Sequence, residues 1–158
     1  MSDVATQTAI PTQIALPGAV DLAVSPDNSY LWAVTSSIAS NSVIISPIDT
    51  ATAAVLTPVT LLSPGPNAAS FLNPAITPDS RYIYVPSTVS PYLQVIDTTA
   101  PTMTAKQITG TAANGLTPFL GVGGISIANG YVYVADSCYT GDNNTPCIDE
   151  VPIGTNTT

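Results

Sequence analysis

One sequence pattern occurs three times in the 158 residues and limits what this chain can fold into. Residues 25–34, 77–85 and 127–134 each contain a turn built on Pro-Asp or Asn-Gly, followed by a strand with alternating aromatic residues. The matched aromatic residues are Tyr30, Trp32, Tyr82, Tyr84, Tyr131 and Tyr133. Because the copies recur about every 50 residues, they predict one sheet-forming unit that is repeated three times.

The composition favours strands over helices. Charged residues make up 8% of the chain, which is too few for the polar faces of amphipathic helices. The 15 prolines and the abundant Thr, Ser and Val fit short strands joined by turns. A period of about 50 residues is typical of the four-stranded blades of a β-propeller. We therefore predict an all-β, single-domain fold of three four-stranded propeller-like blades, at about residues 19–65, 66–110 and 111–158.

The N-terminal segment matches an outer strand of this repeat. Residues 10–18 and 57–65 both carry two prolines six positions apart, with glycine after the second. Since 58–62 is predicted to be the outer strand of the first blade, residues 10–16 are predicted to be a displaced outer strand. Residues 151–157 align with 46–52, so we expect the third blade to lack its own outer strand.

The aromatic strands of the first two copies resemble the Tyr-Val-Thr-Asn type of β-propeller repeat. Residues 132–137, Val-Tyr-Val-Ala-Asp-Ser, are more similar to an NHL-type propeller repeat. The resemblance covers nearly the whole chain and implies a propeller architecture. It implies no particular activity, because such repeats occur in lactonases, surface-layer proteins and binding proteins.

The charge of the chain restricts its partners. The formal net charge is -8, and Arg81 and Lys106 are the only basic residues. Nucleic acid is therefore not an expected partner, since phosphate binding depends on Lys and Arg. No apolar run approaches the length of a membrane span, so membrane insertion is not expected either. Two cysteines and sparse charge favour an extracellular or cell-surface location.

The segment around the two cysteines carries the most distinctive candidate site. We predict that Cys138 and Cys147 form a disulfide that clamps a surface loop. If they pair across a hairpin, Asp136 faces Asp149, and a cation such as Ca²⁺ could relieve the repulsion, with Asp142 as a further ligand. The alternative is that both carboxylates point into water. Calcium is the only cofactor that the sequence suggests.

The sequence favours a protein without catalytic activity. The absence of histidine excludes histidine-based triads and imidazole zinc sites. Asp21 and Asn73 stand at the starts of the predicted innermost strands, where the resemblance to metal-dependent lactonases implies a divalent ion. The third copy offers Gly123 at the corresponding place, so the ligand set is incomplete, and we interpret Asp21 and Asn73 as channel-lining residues.

These observations favour a non-catalytic extracellular structural protein that binds copies of itself head to tail. The strand at 10–16 would pair with an open sheet edge of a neighbouring copy and bury Ile10, Ile14 and Leu16. The product would be a filament or a closed ring. The alternatives are a propeller enzyme of the metal-dependent lactonase kind, or a ligand-binding or adhesion module, either of them as a piece of a larger propeller.

Overall fold

The described part of the chain forms eleven strands and no helix. The computed structural model describes residues 13–37, 42–61, 73–86, 92–109, 124–140 and 143–154. None of these residues lies in a helix long and apolar enough to span a membrane. The strands are β1 (Ala19–Val24), β2 (Tyr30–Ser37), β3 (Ser42–Asp49), β4 (Val59–Leu61), β5 (Ala75–Ile76), β6 (Tyr82–Val85), β7 (Tyr92–Asp97), β8 (Ala105–Thr109), β9 (Gly124–Ala128), β10 (Tyr131–Thr140) and β11 (Asn143–Pro152).

The strands form three antiparallel sheets that follow the three sequence repeats. Sheet 1 has the order β1-β2-β3-β4, sheet 2 the order β5-β6-β7-β8, and sheet 3 the order β11-β10-β9. The all-β prediction and the three sheets are confirmed. Sheet 3 has three strands among the described residues, so the fourth strand of a third blade is not formed by them.

The turn between the first two strands of each repeat is held by the same hydrogen bonds in sheets 1 and 2. The Ser25 hydroxyl donates to Asp27 Oδ1 at 2.6 Å and accepts from the Tyr30 amide at 2.9 Å. In sheet 2, Thr77 donates to Asp79 at 2.5 Å and accepts from the Tyr82 amide at 2.9 Å. The Pro-Asp motif therefore specifies a turn whose polar groups satisfy one another.

Sheet 3 uses a shorter turn at the same place. Ala128 pairs directly with Tyr131, which leaves Asn129 and Gly130 as the two turn residues. Both have positive φ, at 51° and 82°, as a two-residue type I′ hairpin requires. The Asn-Gly pair supplies this conformation with little steric cost.

Sheet 2 is buried between the other two sheets. Trp32, Val34 and Ile45 of sheet 1 form one core cluster with Ile83 and Ile96 of sheet 2. A second cluster joins the opposite face of sheet 2 to sheet 3, and its members are Tyr82, Tyr84, Leu93, Val95, Ile108, Val132, Val134 and Val151. Alternate residues of one strand thus contact different neighbouring sheets.

Contacts between strands of different sheets show how the sheets are arranged. The first strands lie side by side, since β1 contacts β5 and β5 contacts β9, and the last strands β4 and β8 also contact each other. Each sheet therefore presents its first strand to one side of the molecule and its later strands to the other, as propeller blades do.

The segment predicted to be a displaced strand is described only in part. Residues 10–12 lie outside the described residues, and residues 13–16 form no strand in the single chain. Ile14 and Leu16 are half-buried, and Ile10 is not described. Donation of this segment to another copy stays a prediction.

The turn hydrogen bonds predict a specific loss of stability. Replacing Thr77 by Val removes the group that accepts from the buried Tyr82 amide, which should lower the free energy of unfolding by about 1–3 kcal/mol. Urea unfolding measures this difference. The same change at exposed Thr102 is the control and should have little effect. Equal stability of the Thr77→Val and Thr102→Val variants would contradict the role given to Thr77.

Candidate metal site

The hairpin of β10 and β11 brings two carboxylates together, in a register that differs from the predicted one. Asp136 pairs with Cys147, and Asp149 pairs with Val134. The prediction that Asp136 faces Asp149 directly is therefore wrong, and the two are diagonal neighbours. The prediction assumed that the cysteines stand opposite each other. Instead, Thr140 pairs with Asn143, and this short connection fixes the register of the whole hairpin.

The same register corrects the predicted loop between the cysteines. Strands β10 and β11 continue through Cys138 and Cys147 to Thr140 and Asn143. The side chains of Cys138 and Asp142 lie outside the described residues. The disulfide between Cys138 and Cys147, and the role of Asp142 as a ligand, therefore stay predictions.

Asp136, Cys147 and Asp149 form a compact group that could hold a metal ion. One ligand atom from each residue lies within 4.8 Å of the other two. Alternation along the strands places all three on the face of sheet 3 that carries Val134 and Val151, which is the face packed against sheet 2. The site is thus between two sheets, and Asp136 and Asp149 are only 6% and 7% exposed.

The electrostatics of this group are unfavourable without a cation. Burial, together with the nearby Asp136 carboxylate, raises the pKa of Asp149. Asp149 Oδ2 is buried and accepts no hydrogen bond from the described residues. A buried carboxylate oxygen without a hydrogen bond lowers the free energy of unfolding. A bound cation would remove that cost by supplying charge and coordination.

Comparison of the sheets shows what is particular about this position. In each sheet, the first aromatic residue of the repeat pairs with one residue of the third strand along the chain. Ser46, Gln94 and Asp149 each lie three positions before that paired residue, so they are equivalent, and all three are buried polar residues. Thr35 of sheet 1 is equivalent to Asp136 and is also buried. Sheet 3 therefore carries two carboxylates where sheet 1 carries two hydroxyls.

This equivalence also corrects the predicted alignment of the last strand. Pro152 pairs with Tyr131 as Asp49 pairs with Tyr30, so Pro152 corresponds to Asp49. The sequence alignment placed Pro152 opposite Pro47, two residues away, because both are followed by Ile. If the repeats are aligned by strand pairing, Asp149 matches the polar residues Ser46 and Gln94 of the other two sheets.

The two predicted channel-lining residues come together in the structure. With its amide nitrogen oriented toward the carboxylate, Asn73 donates to both oxygens of Asp21, at 3.1 Å to Oδ1. The Leu22 amide also donates to Asp21 Oδ1, at 2.8 Å. Gly123 lies outside the described residues. The Asp21 carboxylate thus accepts hydrogen bonds from its neighbours, and the channel-lining role of the pair stays a prediction.

A cavity of about 280 Å³ lies between the turns of sheets 1 and 2. Its charged residues are engaged in structural contacts: Asp27 and Asp79 accept the turn hydrogen bonds, and Arg81 forms an ion pair with Asp97 at 3.3 Å. The hydrogen bonds from Ser25 and Ser29 hold the pKa of Asp27 at about 2. The charged groups of this cavity therefore stabilise the turns.

Comparisons with known proteins show the fold. The chain is similar to the structure of Kuenenia stuttgartiensis hydrazine synthase, with 24% identity over 92% of this chain and 36% of that one and a TM-score of 0.57. It also matches a putative 6-phosphogluconolactonase from Bacteroides uniformis, with 15% identity over 84% and 40% of the two chains and a TM-score of 0.46. Both are propeller-type folds. The chain thus spans less than half the length of these structures.

No family model and no curated protein matches the chain. Membership of the Tyr-Val-Thr-Asn or NHL repeat families therefore stays a resemblance. The likeness to the hydrazine synthase structure shows that this chain has a propeller-type fold, built here from three antiparallel sheets.

The raised pKa of Asp149 predicts how stability depends on pH in the presence of a chelator. In the unfolded chain this carboxyl ionises at its ordinary pKa of about 4. The folded state therefore retains the proton to a higher pH, so stability should rise as the pH falls from neutral toward that ordinary pKa. Asp149→Asn should remove this rise and stabilise the protein at pH 7 by about 1 kcal/mol.

Thermal unfolding at several pH values measures this effect. Glu150→Gln is the matched control, since Glu150 is the exposed neighbour of Asp149 on the other face of β11. It should leave the rise in place. Below about pH 4 the turn aspartates, whose pKa values are lowered, lose their contribution and stability should fall in every variant. An identical profile for wild type and Asp149→Asn from neutral pH down to the ordinary carboxyl pKa of about 4 would contradict the assignment.

Proposed function

We propose that this chain is a non-catalytic structural protein of the cell surface or extracellular space that assembles head to tail with copies of itself. The observation that carries the proposal is the open side of sheet 3. In sheets 1 and 2 a fourth strand pairs with the third, whereas β11 has no such partner among the described residues. An open edge of this kind can accept a strand from another chain.

Residues 10–16 are the strand that we propose to fill this edge. They match 57–63, which contain the outer strand β4 of sheet 1. In β4, Val59 and Leu61 are buried and Thr60 is exposed. By this match Ile14 takes the place of Leu61, and Gln13 takes the place of Thr60. The donated strand would therefore bury Ile14 and leave Gln13 in water.

Such a contact joins two different surfaces of the same chain. A heterologous contact closes into a ring if the rotation between copies allows it and otherwise continues as a filament. The low content of charged residues limits repulsion between copies. The extracellular location is supported by this composition and by the predicted disulfide.

The enzymatic alternative has less support. The chain has no histidine, and Asp21 and Asn73 bond to each other at the place where a lactonase-like ion would bind. The proteins compared above share less than 25% identity with this chain, so their activities are not transferred.

The strand-donation proposal makes a paired prediction. Replacing Ile14 by Asp should reduce the assembled fraction at least tenfold, because one buried aliphatic side chain contributes about 1.5–3 kcal/mol and the new charge adds to the loss. Gln13→Asp adds the same charge on the side expected to face water, and it should leave assembly nearly unchanged. Sedimentation velocity over a concentration series measures both.

Deletion of residues 1–16 extends this test. The truncated chain should not assemble, and a synthetic peptide of residues 9–18 should bind the open edge of the truncated or intact chain. Strand donation is wrong if the truncated chain forms the same oligomer as the intact chain, or if the two substitutions have equal effects.

A second function, binding of Ca²⁺ between Asp136 and Asp149, is favoured by the buried carboxylate pair. Carboxylate oxygens are preferred ligands of Ca²⁺. If the disulfide forms, the Cys147 sulfur offers no thiolate to a softer metal such as Zn²⁺. The ion would stabilise the contact between sheets 2 and 3 by neutralising charge that is buried there.

Calcium binding should raise the melting temperature. At a concentration about a hundred times its Kd, Ca²⁺ adds about 2.7 kcal/mol, or about 5–10 °C for a chain of this size. Excess chelator should reverse the shift, Asp149→Asn should abolish it, and Glu150→Gln should retain it. The site is refuted by equal melting temperatures in Ca²⁺ and chelator, or by a shift that Asp149→Asn does not remove.

A further inference from the structure

The cavity between sheets 1 and 2 has walls that are largely apolar. Its volume of about 280 Å³ lies at the lower end of the range of about 300–1,000 Å³ that is usual for ligand sites. The apolar side chains of its walls are Tyr30, Trp32, Pro47, Leu56 and Met103. A cavity of this size and lining suits a small ligand with an apolar body.

The corresponding place between sheets 2 and 3 is bridged by a hydrogen bond. Gly154 and Thr99 are equivalent, because each lies two positions after the residue that pairs with the first aromatic residue of its repeat. The Gly154 amide donates to the Tyr84 hydroxyl at 3.1 Å. Trp32 takes the place of Tyr84 in sheet 1, and its side chain has no hydroxyl that could form this bond with Thr99.

Neighbouring residues differ in the same way. Ile153 packs on the second core cluster, whereas its equivalent Thr98 lines the cavity. Tyr82 is 7% exposed, whereas its equivalent Tyr30 is half-buried and lines the cavity. The cavity therefore arises from residues that differ between the repeats.

The charged groups at the cavity carry an excess of negative charge. Asp27 and Asp79 line it, together with one basic residue, Arg81. The Arg81 guanidinium lies 3.3 Å from a carboxylate oxygen of Asp97 and 4.8 Å from the centre of the Tyr82 ring, so its charge is already compensated within sheet 2. The cavity therefore favours a cationic ligand over an anionic one.

The two lining carboxylates can accept further hydrogen bonds. The turn hydrogen bonds described above end on Oδ1 of Asp27 and on Oδ1 of Asp79. The two turns adjoin each other, because the Asp27 amide donates to Ser80 Oγ at 3.3 Å. Oδ2 of either carboxylate could therefore accept from a ligand while the turns keep their own bonds.

We infer that this cavity binds a small organic ammonium ion with an apolar body. The apolar walls cover the body, and the aromatic rings of Tyr30 and Trp32 add a cation–π attraction. Asp27 and Asp79 accept charge-assisted hydrogen bonds from the ammonium group. The site goes beyond the assembly and the Ca²⁺ site proposed above and shares no residue with either, so it can be tested independently of them.

Trp32 is the single tryptophan of the chain, so tryptophan fluorescence reports on this cavity. Phenethylamine, which is an ammonium ion at neutral pH, should change this fluorescence in a saturable way with a Kd of about 1 mM, as expected for a ligand of so few atoms. Phenethyl alcohol has the same body without the charge, and phenylacetate has the opposite charge. Each should bind at least about tenfold more weakly. Isothermal titration calorimetry measures the same affinities without relying on fluorescence.

Two matched pairs of variants locate the site. Thr99→Phe places a ring at the cavity and should weaken phenethylamine binding at least about tenfold, whereas Thr102→Phe makes the same change at an exposed position outside the lining and should not. Asp79→Asn keeps an Oδ1 acceptor for the turn but removes the charge, and it should weaken binding about five- to tenfold. Glu150→Gln removes the same charge from an exposed position on sheet 3 and should have no effect. Circular dichroism shows that each variant is folded before it is titrated.

Three outcomes would overturn the inference. The first is the lack of saturable phenethylamine binding by both fluorescence and calorimetry up to about 10 mM. The second is equally tight binding of phenethyl alcohol or phenylacetate to the intact chain, because the carboxylates would then play no part. The third is equal phenethylamine binding by Thr99→Phe and Thr102→Phe, because the ligand would then lie outside this cavity.

Discussion

The structure depends on the packing of one aromatic sheet face against one aliphatic sheet face. Trp32 packs in this way against sheet 2, and Tyr84 packs against sheet 3. Each side chain buried in such a contact contributes about 1.5–3 kcal/mol. Because sheet 2 is buried on both faces, its aromatic strand is apolar at every position, with burial of all four residues of β6. A single sheet of this composition would not be stable in water, so the repeats stabilise one another.

Hydrogen bonds within the turns allow this packing with very few charged residues. Ser25 and Thr77 connect the turn carboxylates Asp27 and Asp79 to the first amide of the aromatic strand. Local bonds of this kind satisfy backbone groups that would otherwise need partners from another element. They also lower the pKa values of these carboxyls, so the turns keep their negative charge to a lower pH than an unpartnered aspartate would. Arg81 forms an ion pair with Asp97, and this pair is partly exposed.

The carboxylate pair of sheet 3 is an exception in a structure that otherwise has few charged residues in its sheet contacts. The sequence predicted that Asp136 and Asp149 lie close together, and their carboxylates do, although the assumed register was wrong. The connection between the two strands decides the register of the hairpin. The prediction instead assumed that the two cysteines stand opposite each other, and this assumption gave the wrong register. The burial of the pair could not be predicted, because it depends on sheet 2 covering this face of sheet 3. Buried ionised groups on a contact between sheets are costly, and so they indicate a site.

The sequence by itself determined the repeat, the strand order and the turns. These follow from local patterns: alternating aromatic residues fix which side chains share a face, and Pro-Asp or Asn-Gly fixes where the chain reverses. Only the tertiary structure decided which faces are covered. Ile45 and Ile148 are both isoleucines, and each lies four positions before the residue that pairs with the first aromatic residue of its repeat. Ile45 is nevertheless buried, whereas Ile148 is exposed. Burial depends on the presence of a neighbouring sheet, which is a property of the assembled fold and not of the strand.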